Sequence, residues 1–144
     1  MAFVAHCLLN QNSKVGDGAH CAGVYSPVVD VLREKGWRIE QMPCPELAFT
    51  GLNRFWAVRE QLDTAAYRRH CQRLASAVAD MIAVRAGQGE DIVLVGDGGG
   101  LGDALAAVGL AVPDQITPAD AGELRSFLDS RPAPPASTWS WLSP

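Results

Sequence analysis

The chain has 144 residues, 48% hydrophobic and 19% charged, which suits one globular domain with its own core and excludes a disordered chain. A net charge of −4 argues against a broad electrostatic nucleic-acid footprint, so no nucleic-acid partner is expected. No apolar run approaches the roughly 20 residues of a membrane helix, and no basic stretch precedes the first apolar run, so neither a membrane partner nor a signal peptide is read and the expected location is the cytoplasm.

Taken in order, residues 2–6 read as a first strand, buried on both faces. Residues 7–26 are rich in Asn, Gly, Ser and Asp and read as a long connection of the kind that carries function. Ser26-Pro27 predicts a helix start, Val28, Val29 and Leu32 mark its apolar face, and Gly36 supplies a left-handed end. Residues 37–42 alternate apolar and polar side chains, as a second strand does. Residues 43–62 carry Pro43, Pro45, Gly51 and Asn53 and read as irregular.

Asp63-Thr64 caps the strongest predicted helix, with Tyr67, Cys71, Leu74, Val78, Met81 and Ile82 on one stripe and an end near Gly87. Residues 91–95 form a third, β-branched strand that runs into the glycine-rich stretch 96–102. A short helix over 103–108 and a short edge strand over 111–113 follow. Thr117-Pro118-Ala119-Asp120 starts a last helix, whose buried face is Ala121, Leu124, Phe127 and Leu128. The expectation is a single α/β domain over 1–131, a small parallel sheet with helices on both faces in a Rossmann-like three-layer arrangement. Residues 132–144 form a Pro-rich tail, whose Trp139, Trp141 and Leu142 suit docking on the body or a homodimer contact.

Four cysteines are present, Cys7, Cys21, Cys44 and Cys71, with no C-x-x-C pair. In a cytosolic chain they are metal ligands, catalytic groups or small buried apolar side chains rather than disulfides. Cys7 and Cys44 each end a predicted strand, and parallel neighbours would bring both thiols to the carboxyl edge of the sheet, where open α/β sheets bind ligands. Thiolates there suit iron–sulfur clusters, zinc or copper(I). Glu46, two residues past Cys44, is a general acid or base at that edge, or else a solvated loop glutamate. Asn10, Asn12 and Asn53 orient a polar substrate, or else make turns.

Cys71 sits on the helix stripe and reads as core, while His20-Cys21 lies in the first loop, which folds it over the edge in one reading. His6 and His20 leave zinc chemistry open. The glycine stretch 96–102 fits neither a dinucleotide-binding fingerprint nor a Walker A loop, and Asp97 within it is a cap or a hard ligand.

His6-Cys7-Leu8-Leu9-Asn10-Gln11-Asn12, Pro43-Cys44-Pro45-Glu46, Gly51-Leu52-Asn53-Arg54 and Arg69-His70-Cys71 together resemble the thiouracil desulfidase-like family, over about residues 3 to 100. The resemblance implies a three-cysteine [4Fe–4S] cluster with one open iron that takes sulfur from a thiolated nucleobase such as 2-thiouracil, without net redox change. It carries cluster ligation to Cys7 and Cys44 and proton transfer to Glu46. The family's third ligand lies in a Ser-Pro-Ser-Cys-Gly stretch, where this chain has Gly98-Gly99-Gly100-Leu101-Gly102. Three outcomes stay open. Cys21 is the third ligand, or Asp97 or His20 replaces it, or the chain is a cluster-less small-molecule-binding or interaction module of the same fold.

Overall fold

The apolar run at the amino end becomes β1 (Ala2–Val4), the middle of a sheet. The computed structural model describes residues 1–52, 55, 57–96, 105–106, 114–117 and 120–131, without the side chains of Asp17 and Arg59. β1 pairs with β2 (Ile39–Gln41) on one side and β3 (Val93–Val95) on the other, and β3 pairs with β4 (Gln115–Ile116). All the pairings are parallel, in the order β2-β1-β3-β4.

Successive strand side chains point to opposite faces. Phe3, Ala5 and Leu94 therefore share one apolar cluster with Cys71, Ala75, Val78 and Ile82 of α5 (Ala65–Gly87). Ala2, Val4, Val93 and Val95 share the other with Val28, Val31 and Leu32 of α2 (Ser26–Glu34) and Leu124 and Leu128 of α6 (Ala121–Asp129). The layers are helix, parallel sheet, helix, the small α/β fold expected from the strand–helix alternation.

Several boundaries move, each for a local reason. The first strand stops at Val4, because the Leu8 amide turns back to the Ala5 carbonyl at 3.0 Å and opens α1 (His6–Leu9). His6 and Cys7 thus sit in a helical turn. The connection 7–26 also contains 3₁₀ turns at Gln11–Ser13 and Gly16–Gly18. Residues 43–62 are not irregular throughout. They hold α3 (Pro45–Thr50) and α4 (Arg59–Leu62), and Pro45 begins α3 at a position that needs no amide hydrogen.

Thr64 caps α5 as expected, accepting from the Tyr67 amide at 3.1 Å. The buried stripe of α5 is Cys71, Ala75, Val78 and Ile82, while Met81 faces outward at 39% exposure. The last helix is capped by Asp120, whose Oδ1 accepts from the Glu123 amide at 2.8 Å, rather than by Thr117. Leu105 and Ala106 are helical, within the helix expected over 103–108. The edge strand expected at 111–113, the stretch 97–102 and the tail 132–144 lie outside the described residues, and the fourth strand falls at Gln115–Ile116.

Candidate functional site

Val4 stands opposite Gln41 in the β1–β2 register, and Cys7 and Cys44 each follow three positions later. Neighbouring strands lie roughly 5 Å apart, so the two thiols enter the same edge from adjacent strands. The last ladder bonds run from the Ala5 amide to Val95 O and from the Met42 amide to Val4 O, both at 2.8 Å. Beyond them the two chains part into different turns. Cys7 is half-buried in α1 and packs against the core cluster beneath α5. Cys44 is half-buried as the cap residue of α3, its Sγ accepting from the Leu47 amide at 3.4 Å. Glu46 lies in the first turn of α3, where a carboxylate suits the helix dipole.

α5 forms the facing wall. His70 donates from Nε2 to the Pro45 carbonyl at 3.1 Å, pinning α5 to the start of α3 and giving His70 a role its sequence position did not disclose. The Phe49 ring stands edge-on to Tyr67, with centroids 5.2 Å apart, and tilts against His70 at 5.3 Å. The Tyr67 hydroxyl oxygen is buried without a well-formed hydrogen bond. Burial raises its pKa, and its neighbours Cys71, Glu46 and Cys44 raise it further. The Cys71 thiol is also pushed up, first by burial, with Glu46 adding in the same direction while Tyr67 opposes. Cys71 is therefore not only a core side chain. It shares its surroundings with Tyr67 and Glu46.

The first loop is held by amides. Gln11 is 1% exposed, and its side chain donates to the Cys7 carbonyl at 2.5 Å and accepts from the His20 amide at 3.0 Å. Asn10 Oδ1 accepts from the Asn12 amide at 3.2 Å, and Asn12 Oδ1 accepts from the Gly23 amide at 3.4 Å. Both asparagine side chains thus accept from loop amides, and Asn53 lies outside the described residues. Cys21 is exposed, and its thiol donates to the Val24 carbonyl at 3.5 Å.

No two of the cysteines are joined in a disulfide. Among the described residues no three Cys, His, Asp or Glu side chains are gathered so as to hold a metal. Cys7, Cys44 and Cys21 are therefore not assembled as a three-thiolate set, and neither His6 nor His20 completes one. Asp97 and the 98–102 stretch lie outside the described residues. Among the described residues no helix is long and apolar enough to cross a membrane.

Gln11, Tyr67 and Phe49 are the site residues that sequence reasoning missed. Gln11 belongs to no periodic pattern, Tyr67 looked like one more member of a helix stripe, and Phe49 lay in a stretch punctuated by prolines.

No family model matches the chain, and no solved structure matches it. An uncharacterized protein of Methanocaldococcus jannaschii, MJ0003, is 39% identical over 74 residues, which cover 51% of this chain and 47% of that protein. The chain thus spans about half the length of the curated relative it matches.

Proposed function

We propose that the chain is a desulfidase-like enzyme acting on a small thiocarbonyl compound of the thiolated-nucleobase class. The observation that carries this reading is the matched offset of Cys7 and Cys44 beyond the register pair Val4 and Gln41, with Glu46 in the first turn of the following helix. Two soft sulfur groups and one carboxylate at the carboxyl edge are the elements such a reaction needs. The net change is a hydrolysis: water oxygen replaces sulfur on carbon, sulfide leaves with the protons of water, and no electrons are exchanged. Glu46 takes a proton from the attacking water and returns it to the departing sulfur. An iron–sulfur cluster on Cys7 and Cys44 belongs to this reading through the family resemblance, with Cys21 as the candidate for the third ligand. The described residues do not gather that set, and the proton chemistry of Glu46 stands without it.

The test combines two readouts on anaerobically purified and reconstituted protein: iron and acid-labile sulfide per chain, and sulfide released from 2-thiouracil. Glu46→Gln is expected to lower turnover by about a hundred-fold while leaving the fold intact. Iron held by the wild type and lost from Cys21→Ser would assign Cys21 as the third ligand. No sulfide from any thiolated base would sink the proposal. A second reading, a cluster-less binding module, is favoured by Gly98-Gly99-Gly100-Leu101-Gly102 standing where the family has its third cysteine. Ligand binding without sulfide release would select it.

A further inference from the structure

The aromatic groups beside Cys44 and Glu46 have no part in the proton chemistry. Phe49 lies on α3, three residues past Glu46 and so on a neighbouring part of the helix surface. It is 42% exposed and belongs to neither core cluster. It is nevertheless held in place, edge-on to Tyr67 at 5.2 Å and tilted against His70 at 5.3 Å, with Tyr67 and His70 themselves 6.3 Å apart. His70 is fixed in turn by its bond to the Pro45 carbonyl.

An exposed ring with a braced back and an open face is a stacking surface, because any planar heteroaromatic ring offers a π-face to it. A second observation points the same way. The hydroxyl of Tyr67, the ring against which Phe49 stands, is buried without a well-formed hydrogen bond, and its side-chain neighbour is the weakly accepting Cys71 thiol. A buried hydroxyl so weakly paired keeps hydrogen-bonding capacity to offer a ligand.

We propose that Phe49 is the stacking face, and the Tyr67 hydroxyl the inner polar contact, of a subsite for a planar heteroaromatic ring. The subsite rests on the desulfidase reading for the group the ring carries toward Glu46. Ring recognition itself is separate from sulfur release. Phe49 contributes area and planarity selection. Tyr67 donates to a ring oxygen or sulfur at the inner edge of the stacked ring.

The test is anaerobic calorimetric titration of the full chain with 2-thiouracil and with 5,6-dihydro-2-thiouracil, whose saturated ring is puckered. The wild type is expected to prefer the planar compound. Phe49→Ala should weaken 2-thiouracil binding by about ten-fold and bring the two compounds near parity. Tyr67→Phe should weaken both by several-fold. Phe49 is a surface residue, so unchanged melting of Phe49→Ala confirms that the fold is intact. Binding by Phe49→Ala equal to wild type, no preference for the planar ring, or no binding of either compound by the wild type would each overturn the subsite. Planar-ring binding that depends on Phe49 without sulfide release keeps the subsite and removes the desulfidase reading. Sulfide release with binding indifferent to Phe49 does the reverse.

Discussion

Gln11 and Cys7 are joined by a hydrogen bond from Gln11 Nε2 to the Cys7 carbonyl oxygen, 2.5 Å long, and almost fully closed off from water on the glutamine side. The same amide accepts from the His20 backbone with its oxygen, so one side chain ties the turn that carries Cys7 to the far limb of the first loop. The Gln11 backbone adds a third tie, donating to the Gly23 carbonyl at 2.6 Å. Gln11→Leu removes both side-chain bonds and leaves the Cys7 carbonyl and His20 amide without them. The expected loss is about 1–3 kcal/mol in denaturant unfolding. Hydrogen exchange should rise at the His20 amide, and an unchanged exchange rate there would show that the loop is held by something else.

Gly96 ends β3 with φ at +97°, and a Cβ built there would meet the Ala5 Cβ at 2.6 Å and Leu8 Cδ1 at 3.2 Å. The bare backbone is what lets β3 run close beside the turn into α1. Gly96→Ala is expected to cost more than about 2 kcal/mol, since strain from positive φ and a clash with a short, inflexible side chain add. Gly36 is the control. It has φ at +73° with nothing within 4 Å of its Cβ position, so Gly36→Ala should cost only about 1 kcal/mol. Equal losses in the two variants would mean that close packing at Ala5 contributes nothing.

The layers of the fold were legible because the two inner strands are buried on both faces: Val93, Leu94 and Val95, or Ala2, Phe3 and Val4, have no polar face to confuse with a loop. The placement of Cys7 and Cys44 at one edge followed from the same parallel pairing. The helices flanking the thiols were harder to read. Pro43 and Pro45 are punctuation in a sequence, yet Pro45 sits at the one helical position that tolerates it, with a cysteine rather than a serine as cap. α1 has four residues and no cap signal, and it exists because the ladder ends at Ala5. The Tyr67 surroundings could not be read at all, because they join α3 to α5 across contacts that no spacing along the chain encodes.

Arg131 closes the opposite edge of the sheet. Its guanidinium pairs with Asp91, at 2.6 Å from Nη2 and 3.2 Å from Nε, and with Asp114, while its plane lies 5.7 Å over the Phe127 ring. The side chain is 15% exposed, so these contacts are only partly screened. Arg131, two residues past α6, thus anchors the entrance to β3 and the segment before β4. Arg131→Met keeps the apolar stem and removes the charge. It should cost about 1–3 kcal/mol, with the gap to wild type narrowing as salt is raised. A gap indifferent to salt would assign the effect to packing on Phe127 alone.

The buried thiol of Cys71 links stability to pH. Burial raises its pKa from the ordinary 9.0, so as pH rises past 9 the unfolded chain gives up this proton before the folded chain does. The folded state then binds more protons than the unfolded state, and stability falls with pH, by up to about 1.4 kcal/mol per pH unit for one group. Tyr67, raised from its ordinary 10.0, adds a second decline about one unit higher. Below pH 8 neither group contributes a slope. Cys71→Ala is expected to flatten the wild-type decline between pH 9 and 10, and parallel profiles for the two proteins would refute the assignment. Alkylation gives an independent check on the same thiol. At pH 8, iodoacetamide should label exposed Cys21 first, half-buried Cys7 and Cys44 next, and Cys71, 7% exposed with a raised pKa, last. Mass spectrometry of the labelled peptides reads that order directly, and early labelling of Cys71 would show that α5 opens to solvent at this end.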